Sequence, residues 1–307
     1  MKGWYDEKQD MESIKTSWYP GHMARAFSLF KKEVKKAQVV IEVLDARIPR
    51  SSRNTKFTNL LTGKKKIIVL NKIDLVPRAC LRAWEKKIAF EEDAFVVSTN
   101  LTRDTSAANK IMACLNTLKE ALLLKKSKIG INTAFLKIVV IGIPNVGKST
   151  LINRLVGRNR ARVGKKPGIT VGPQWISFGA NFELLDMPGI LEPNLDDSGV
   201  AEKLSMTYAV SDKVIDPYVM AVKLVDIIRA IHSSNEPEKS YPLFKKIDGY
   251  VDGHEAVGDM AAHFNLVIQE GKADLHRTAC KLLKDYRDGL VGRFVLDGLE
   301  KPTGGCA

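Results

Sequence analysis

The stretch Gly142-Ile-Pro-Asn-Val-Gly147-Lys148-Ser149 fits GxxxxGK[ST]. In such a loop, glycines let the backbone turn tightly enough for its N–H groups to face phosphate oxygens. Lys148 is then expected to reach the β- and γ-phosphates of a nucleotide and Ser149 to ligate Mg2+. Asn145, Val146, Gly147 and Thr150 complete the stretch expected along the phosphates. Downstream, Asp186-Met-Pro-Gly189 fits DxxG. There Asp186 is expected to contact Mg2+ through water, and the Gly189 N–H to contact the γ-phosphate. Between the two lies Lys166-Pro-Gly-Ile-Thr170. A threonine in such a loop can complete Mg2+ coordination when a triphosphate is bound, which makes Thr170 the expected switch residue.

The fourth element is Asn71-Lys-Ile-Asp74. A carboxylate at Asp74 can accept two hydrogen bonds from guanine, at N1–H and at the 2-amino group. Adenine offers neither donor, so this residue selects GTP over ATP. Asn71 is expected near the base edge and Lys72 along the base plane. Ser98-Thr99-Asn100 follows the next strand, where a base-contacting loop belongs, although it departs from the usual Ser-Ala pair. NKID precedes the phosphate loop in the chain, and residues 190–307 offer no second NKxD. The guanine site must therefore come from upstream.

This order resembles the circularly permuted GTPases, and most closely the YlqF/RbgA ribosome-biogenesis GTPases. The resemblance rests on Trp18-Tyr-Pro-Gly-His-Met-Ala24, Asp45-Ala-Arg-Ile-Pro-Arg-Ser-Ser-Arg-Asn54, the run from Ile141 to Asn153, Pro167-Gly-Ile-Thr170, and the run from Leu184 to Leu191. It implies GTP and GDP as ligands, the large ribosomal subunit precursor and its rRNA as partners, and a cytoplasmic setting. Neither membrane nor DNA is expected as a partner. Ile190 and Leu191 follow DxxG, and neither side chain can orient water. The resemblance assigns hydrolysis to the N-terminal histidine, here His22, whose imidazole can exchange a proton near neutral pH. Asn145 is similar to the phosphate-loop asparagine of potassium-activated GTPases, which implies a K+ beside the phosphates.

These residues need a framework of alternating strands and helices. A lysine-rich helix is expected at 24–37. Val39–Leu44, Ile67–Leu70, Ala94–Val97 and Leu136–Ile141 read as buried strands. The segment 106–124 repeats Ile111, Leu115, Leu118 and Leu122 at helical spacing. The basic stretch 125–133 reads as a connector, and a helix is expected to begin near Lys148. Trp175–Phe178 and Phe182–Leu185 read as a hairpin through Gly179-Ala180-Asn181. The expected fold is α/β, a circularly permuted P-loop GTPase domain. Its sheet is mainly parallel with helices on both faces, over residues 1–204 with an N-terminal extension. Residues 205–307 read as a helical C-terminal domain with helices at 219–231 and 272–289. In the second helix Leu275, Ala279, Leu282, Leu283 and Tyr286 share one face, and Arg277, Lys281 and Lys284 the other, with Asp288.

The net charge of the 307 residues is +13. Residues 1–204 carry 35 Lys/Arg against 20 Asp/Glu, a net of +15, while residues 205–307 carry 13 against 15, a net of −2. A basic excess suits a polyanion, because Lys/Arg contacts release counterions from a phosphate backbone. The near-neutral C-terminal third leaves Arg277, Lys281 and Lys284 as its main basic face, which reads equally as a solvated helix surface. Cys80, Cys114, Cys280 and Cys306 are widely spaced and read as separate reduced thiols. No apolar run approaches the roughly 18–20 residues that span a bilayer, and the mixed charges of the first fifteen residues do not read as a leader.

Three functions compete. One is a GTP hydrolase that assembles the large subunit. Another is a nucleotide-gated switch that binds a protein and hydrolyses GTP incidentally. The last is an RNA-binding factor with a dead nucleotide site, against which the intact Lys148, Ser149, Asp74 and Asp186 count.

Overall fold

The computed structural model describes residues 21–53, 58–127, 135–157, 174–179, 181–186, 197–212, 215–268 and 271–299, with the side chains of residues 21–27, 58–59, 125–127, 174 and 186 outside that description. The chain forms two compact units. The first comprises Met1–Asp45, Ser52–Lys72 and Glu85–Asn194, and the second Ala46–Ser51, Ile73–Trp84 and Leu195–Ala307.

The first unit is built on a six-stranded sheet. Its strands are β1 (Val39–Asp45), β2 (Lys65–Asn71), β3 (Ala94–Ser98), β4 (Leu136–Ile141), β5 (Gln174–Phe178) and β6 (Phe182–Asp186), in the order β3-β2-β1-β4-β6-β5. All pairs are parallel except the edge hairpin β5–β6. That hairpin turns through Gly179 and Asn181, both at positive φ. Every residue of β1 is buried. Successive strand residues point to opposite faces, so an unbroken buried run such as Val39-Val-Ile-Glu-Val-Leu-Asp45 requires cover on both.

Helices α1 (Gly21–Val34), α2 (Thr58–Leu61), α3 (Arg78–Glu91), α4 (Ala107–Ser127) and α5 (Lys148–Val156) alternate with the strands. On α1, Phe30 and Val34 lie one turn apart. They pack with Ala37 against Val40 of β1, Val139 and Ile141 of β4, and Leu185 of β6. Burying side chains of this size stabilises the fold by about 1.5–3 kcal/mol each. On α4 the expected Ile111, Leu115 and Leu118 are buried. This helix extends to Ser127, so the expected connector begins as helix, and residues 128–133 lie outside the described residues.

In the second unit α6 (Ser198–Met206), α7 (Pro217–Ile231), α8 (Gly253–His263) and α9 (Leu275–Arg287) carry the core. The expected boundary at 204–205 falls inside α6. A helix whose Leu204, Ser205 and Met206 are all buried cannot be divided there without exposing them. The close approach of α8 to α7 requires Gly253, since a Cβ there would lie 2.4 Å from the Val222 carbonyl oxygen. On α9, Ala279, Leu282, Leu283 and Tyr286 are buried as expected, but Leu275 is exposed, because it begins the helix at Asp274 and lies beyond the packed turns.

Candidate functional site

β1 and β4 are neighbours from which the strand order runs in opposite directions, through β2 and β3 on one hand and β6 and β5 on the other. A crevice at the C-terminal ends of the strands, where the order diverges, is the usual binding place in such sheets. The phosphate loop leaves β4 at this point. Gly142 has φ +148°, and a Cβ there would stand 2.4 Å from the Val43 carbonyl oxygen of β1. Gly147 has φ +113°, and its Cβ would stand 2.5 Å from Asn71 Nδ2. These two glycines therefore have steric as well as conformational reasons. Asn145 adopts a left-handed φ of 57° and is exposed, while Val146 is buried.

Helix α5 starts at Lys148 with Gly147 as its N-cap, a residue that has no side chain to cap the first amide groups. The positive end of the helix is thus presented at the loop. Ser149 is exposed and Thr150 half-buried in the first turn. Lys148 Nζ donates to the Ile143 carbonyl at 2.7 Å. Burial pulls its ammonium down to about 8. Phosphates would restore the charged form, so binding above that pH takes up a proton. Nucleotide affinity is expected to be flat below about pH 7 and to fall by up to about tenfold per pH unit above about pH 8. Fluorescent-nucleotide titrations across that range check this, and a constant affinity would mean that Lys148 does not meet the phosphates.

The NKID segment ends β2. Asn71 is buried, with Nδ2 donating to the Val146 carbonyl at 2.6 Å and Oδ1 accepting from Leu101 N–H at 2.8 Å. Both ends of its amide thus join protein loops. Lys72 has φ 63° and its ammonium lies 2.8 Å from the buried Asp45 carboxylate. That pair aligns the lysine stem, and nothing in the NKID pattern announces Asp45. Asp74 opens a 3-10 turn, Ile73–Leu75, in the second unit. There its carbonyl accepts from Arg293 Nε at 3.1 Å.

The loop after β3 is also more constrained than its sequence suggests. Thr99 is fully buried. Its N–H donates to the Leu70 carbonyl at 2.9 Å and its hydroxyl to Asp104 at 2.9 Å. The backbone donor of Thr99 is thus engaged in the fold. Ser98 and Asn100 are half-buried, and Asn100 is the next residue with accessible surface. The Asp104 carboxylate also accepts from Ser106 and Lys110, and these bonds hold it well below the usual carboxylate range.

His22 is the second residue of α1, and its side chain lies outside the described residues. Asp186 ends β6, and its side chain is likewise outside them. Thr170 and Gly189 lie outside the described residues altogether. Sequence reasoning also missed how Arg50 and Ser51, within the Asp45–Asn54 motif, are held. In the second unit Asp297 accepts from the Arg50 and Ser51 amides at 2.8 Å, from the Ser51 hydroxyl at 2.6 Å and from Lys203 at 3.0 Å. A link of almost 250 residues leaves no local pattern to read. On α9, Arg277 and Lys284 are exposed as expected, but Lys281 is not a free surface cation. It pairs with Asp285 at 2.7 Å and lies over the Phe264 ring. Among the described residues no helix is long and apolar enough to cross a membrane.

Comparison with known proteins adds an independent line. The family described as 50S ribosome-binding GTPase matches residues 137–245. Ribosome biogenesis GTPase A of Bacillus cereus is 33% identical over 286 residues, covering 92% of this chain and 94% of that protein. Mitochondrial GTPase 1 of Schizosaccharomyces japonicus is 31% identical, covering 93% and 91%. The GDP-bound structure of YlqF from Thermotoga maritima has a TM-score of 0.63 at 22% identity, covering 89% of this chain and 99% of that one.

Proposed function

The chain belongs to the ribosome biogenesis GTPase A family and is a GTPase, and from that premise we propose that it assists assembly of the large ribosomal subunit. In this reading it binds the precursor particle and its rRNA in the GTP state and leaves after hydrolysis. The observation that carries the nucleotide half is the Asn71 amide, which joins the NKID strand to the phosphate loop and the base loop. The net charge of +15 on residues 1–204 supports a polyanionic partner. The names of the relatives, ribosome biogenesis GTPase A and 50S ribosome-binding GTPase, support the particle. The cytoplasmic location expected from sequence stays a reading, since the relatives include a protein named for the mitochondrion.

Lys148 and the first turn of α5 hold the phosphates, Asp74 selects guanine, and Lys72 lies along its plane. Ser149, Thr170 and Asp186 would hold Mg2+, and the exposed Ser149 in the first turn of a helix with glycine as its N-cap fits that assignment. Bound Mg2+ neutralises charge on the transferred phosphoryl group. Asn145, exposed in a left-handed turn, would help hold K+, so hydrolysis should be faster in K+ than in Na+.

His22 would orient the attacking water. His22→Ala should leave GTP affinity nearly unchanged, lower turnover by roughly 10²-fold, and trap the GTP state on its particle. Sedimentation with large-subunit precursors, in GDP and in GTP, tests both halves. Retention in GTP, prolonged in the variant, is the expected result. Retention indifferent to nucleotide would leave the protein-partner switch as the better account.

A further inference from the structure

The base loop and the phosphate loop lie on separate stretches of chain, with α4 between them. Their spacing must be set by tertiary contacts. The Asn71 amide is one such contact. A second comes from Arg154, in the last turn of α5, the helix that the phosphate loop opens. Its guanidinium Nη2 donates to the Thr102 carbonyl at 2.9 Å, and Nη1 donates to the Asp104 carbonyl.

The loop that Arg154 grips is internally knotted. Asn100 Oδ1 accepts from the Thr102 and Arg103 amides at 2.9 and 3.0 Å, and its carbonyl accepts from the Asp104 amide at 2.8 Å. The Asp104 carboxylate ties the far end of the loop to Thr99 and Lys110. A loop wound in this way moves as one body, so holding two of its carbonyls holds Asn100 as well. Arginine suits the task, because a planar fork with fixed donors sets direction as well as distance.

We infer that Arg154 is a positioning residue for guanine recognition: it fixes the Asn100 loop on the phosphate-binding helix, so that base and phosphates are met at one matched spacing. The inference rests on the GTP-site reading above. It requires no contact between Arg154 and the nucleotide. Its loss should therefore weaken only the part of binding that depends on the base.

The test measures affinity for GTP, ATP and inorganic tripolyphosphate in the wild-type protein, Arg154→Ala and Arg154→Lys. Tripolyphosphate carries the charges without a base. In Arg154→Ala, GTP affinity is expected to fall about tenfold, the scale of lost hydrogen bonds to a charged donor, while tripolyphosphate affinity stays at the wild-type value. The preference for GTP over ATP should shrink by the same factor, and Arg154→Lys should fall between the two. An equal loss for GTP and tripolyphosphate would make Arg154 a general support of α5 and overturn the inference. Unchanged GTP affinity in both variants would overturn it too. A wild-type protein that bound GTP no better than tripolyphosphate would instead refute the GTP-site reading itself.

Discussion

Lys148→Ala should lower GTP affinity by about 10²-fold or more, because removing one member of a desolvated charge pair costs about 2–5 kcal/mol. The size follows from the local structure. The ammonium is desolvated, and it donates to the Ile143 carbonyl at 2.7 Å. A neutral carbonyl is a poor substitute for a phosphate, so the exchange strongly favours binding. The variant should still fold, since the first turn of α5 loses no buried apolar group: its buried residues are Leu151, Ile152 and Leu155. Equilibrium binding with circular dichroism as a control checks the result. Wild-type affinity in a folded variant would move the phosphate site elsewhere.

Much of the first unit was legible because its signals are local. Continuous apolar runs bounded by turn residues marked β1, β2, β3 and β4 to within two residues. The Gly179-Ala-Asn181 turn marked the hairpin. In α3 the signal is also local: Leu81, Trp84 and Ile88 repeat at helical spacing, with Trp84 and Ile88 buried. α6 and α8 are short and rich in small or polar residues, so their patterns are weak; both are settled by Asp N-caps, Asp197 and Asp252, and by packing.

Within the site, residue types and order were legible but engagements were not. Asp45 holding Lys72, Thr99 turned inward and Lys281 drawn onto Phe264 each depend on which distant element lies alongside. The division of the chain was also hidden. Ala46–Ser51 and Ile73–Trp84 follow parallel strands of the first unit yet belong to the second. Asp297 and Arg293, which hold them, lie more than 200 residues downstream.

The second large effect concerns the guanine contact. In the proposed site a carboxylate at Asp74 suits guanine, which offers two donors on one edge, at N1 and at the 2-amino group. Xanthine replaces the amino group with a carbonyl. Asparagine at position 74 presents an oxygen to N1–H and an NH2 to that carbonyl, so it suits xanthine and opposes guanine. A site built on paired hydrogen bonds discriminates by far more than a shape difference can, up to about 10⁴-fold where a polar partner is left unmet. Asp74→Asn is therefore expected to cost GTP about 10²-fold or more and to improve XTP by a comparable factor. The 3-10 turn that carries residue 74 should survive, because its tie to Arg293 uses the backbone carbonyl and not the side chain.

The central claim is that a segment upstream of the phosphate loop supplies guanine recognition to it. Competition of GTP against XTP for the wild-type protein and Asp74→Asn tests this most directly. The account predicts that preference reverses, with GTP favoured by the wild type and XTP by the variant. A variant that keeps the wild-type preference for GTP would contradict it.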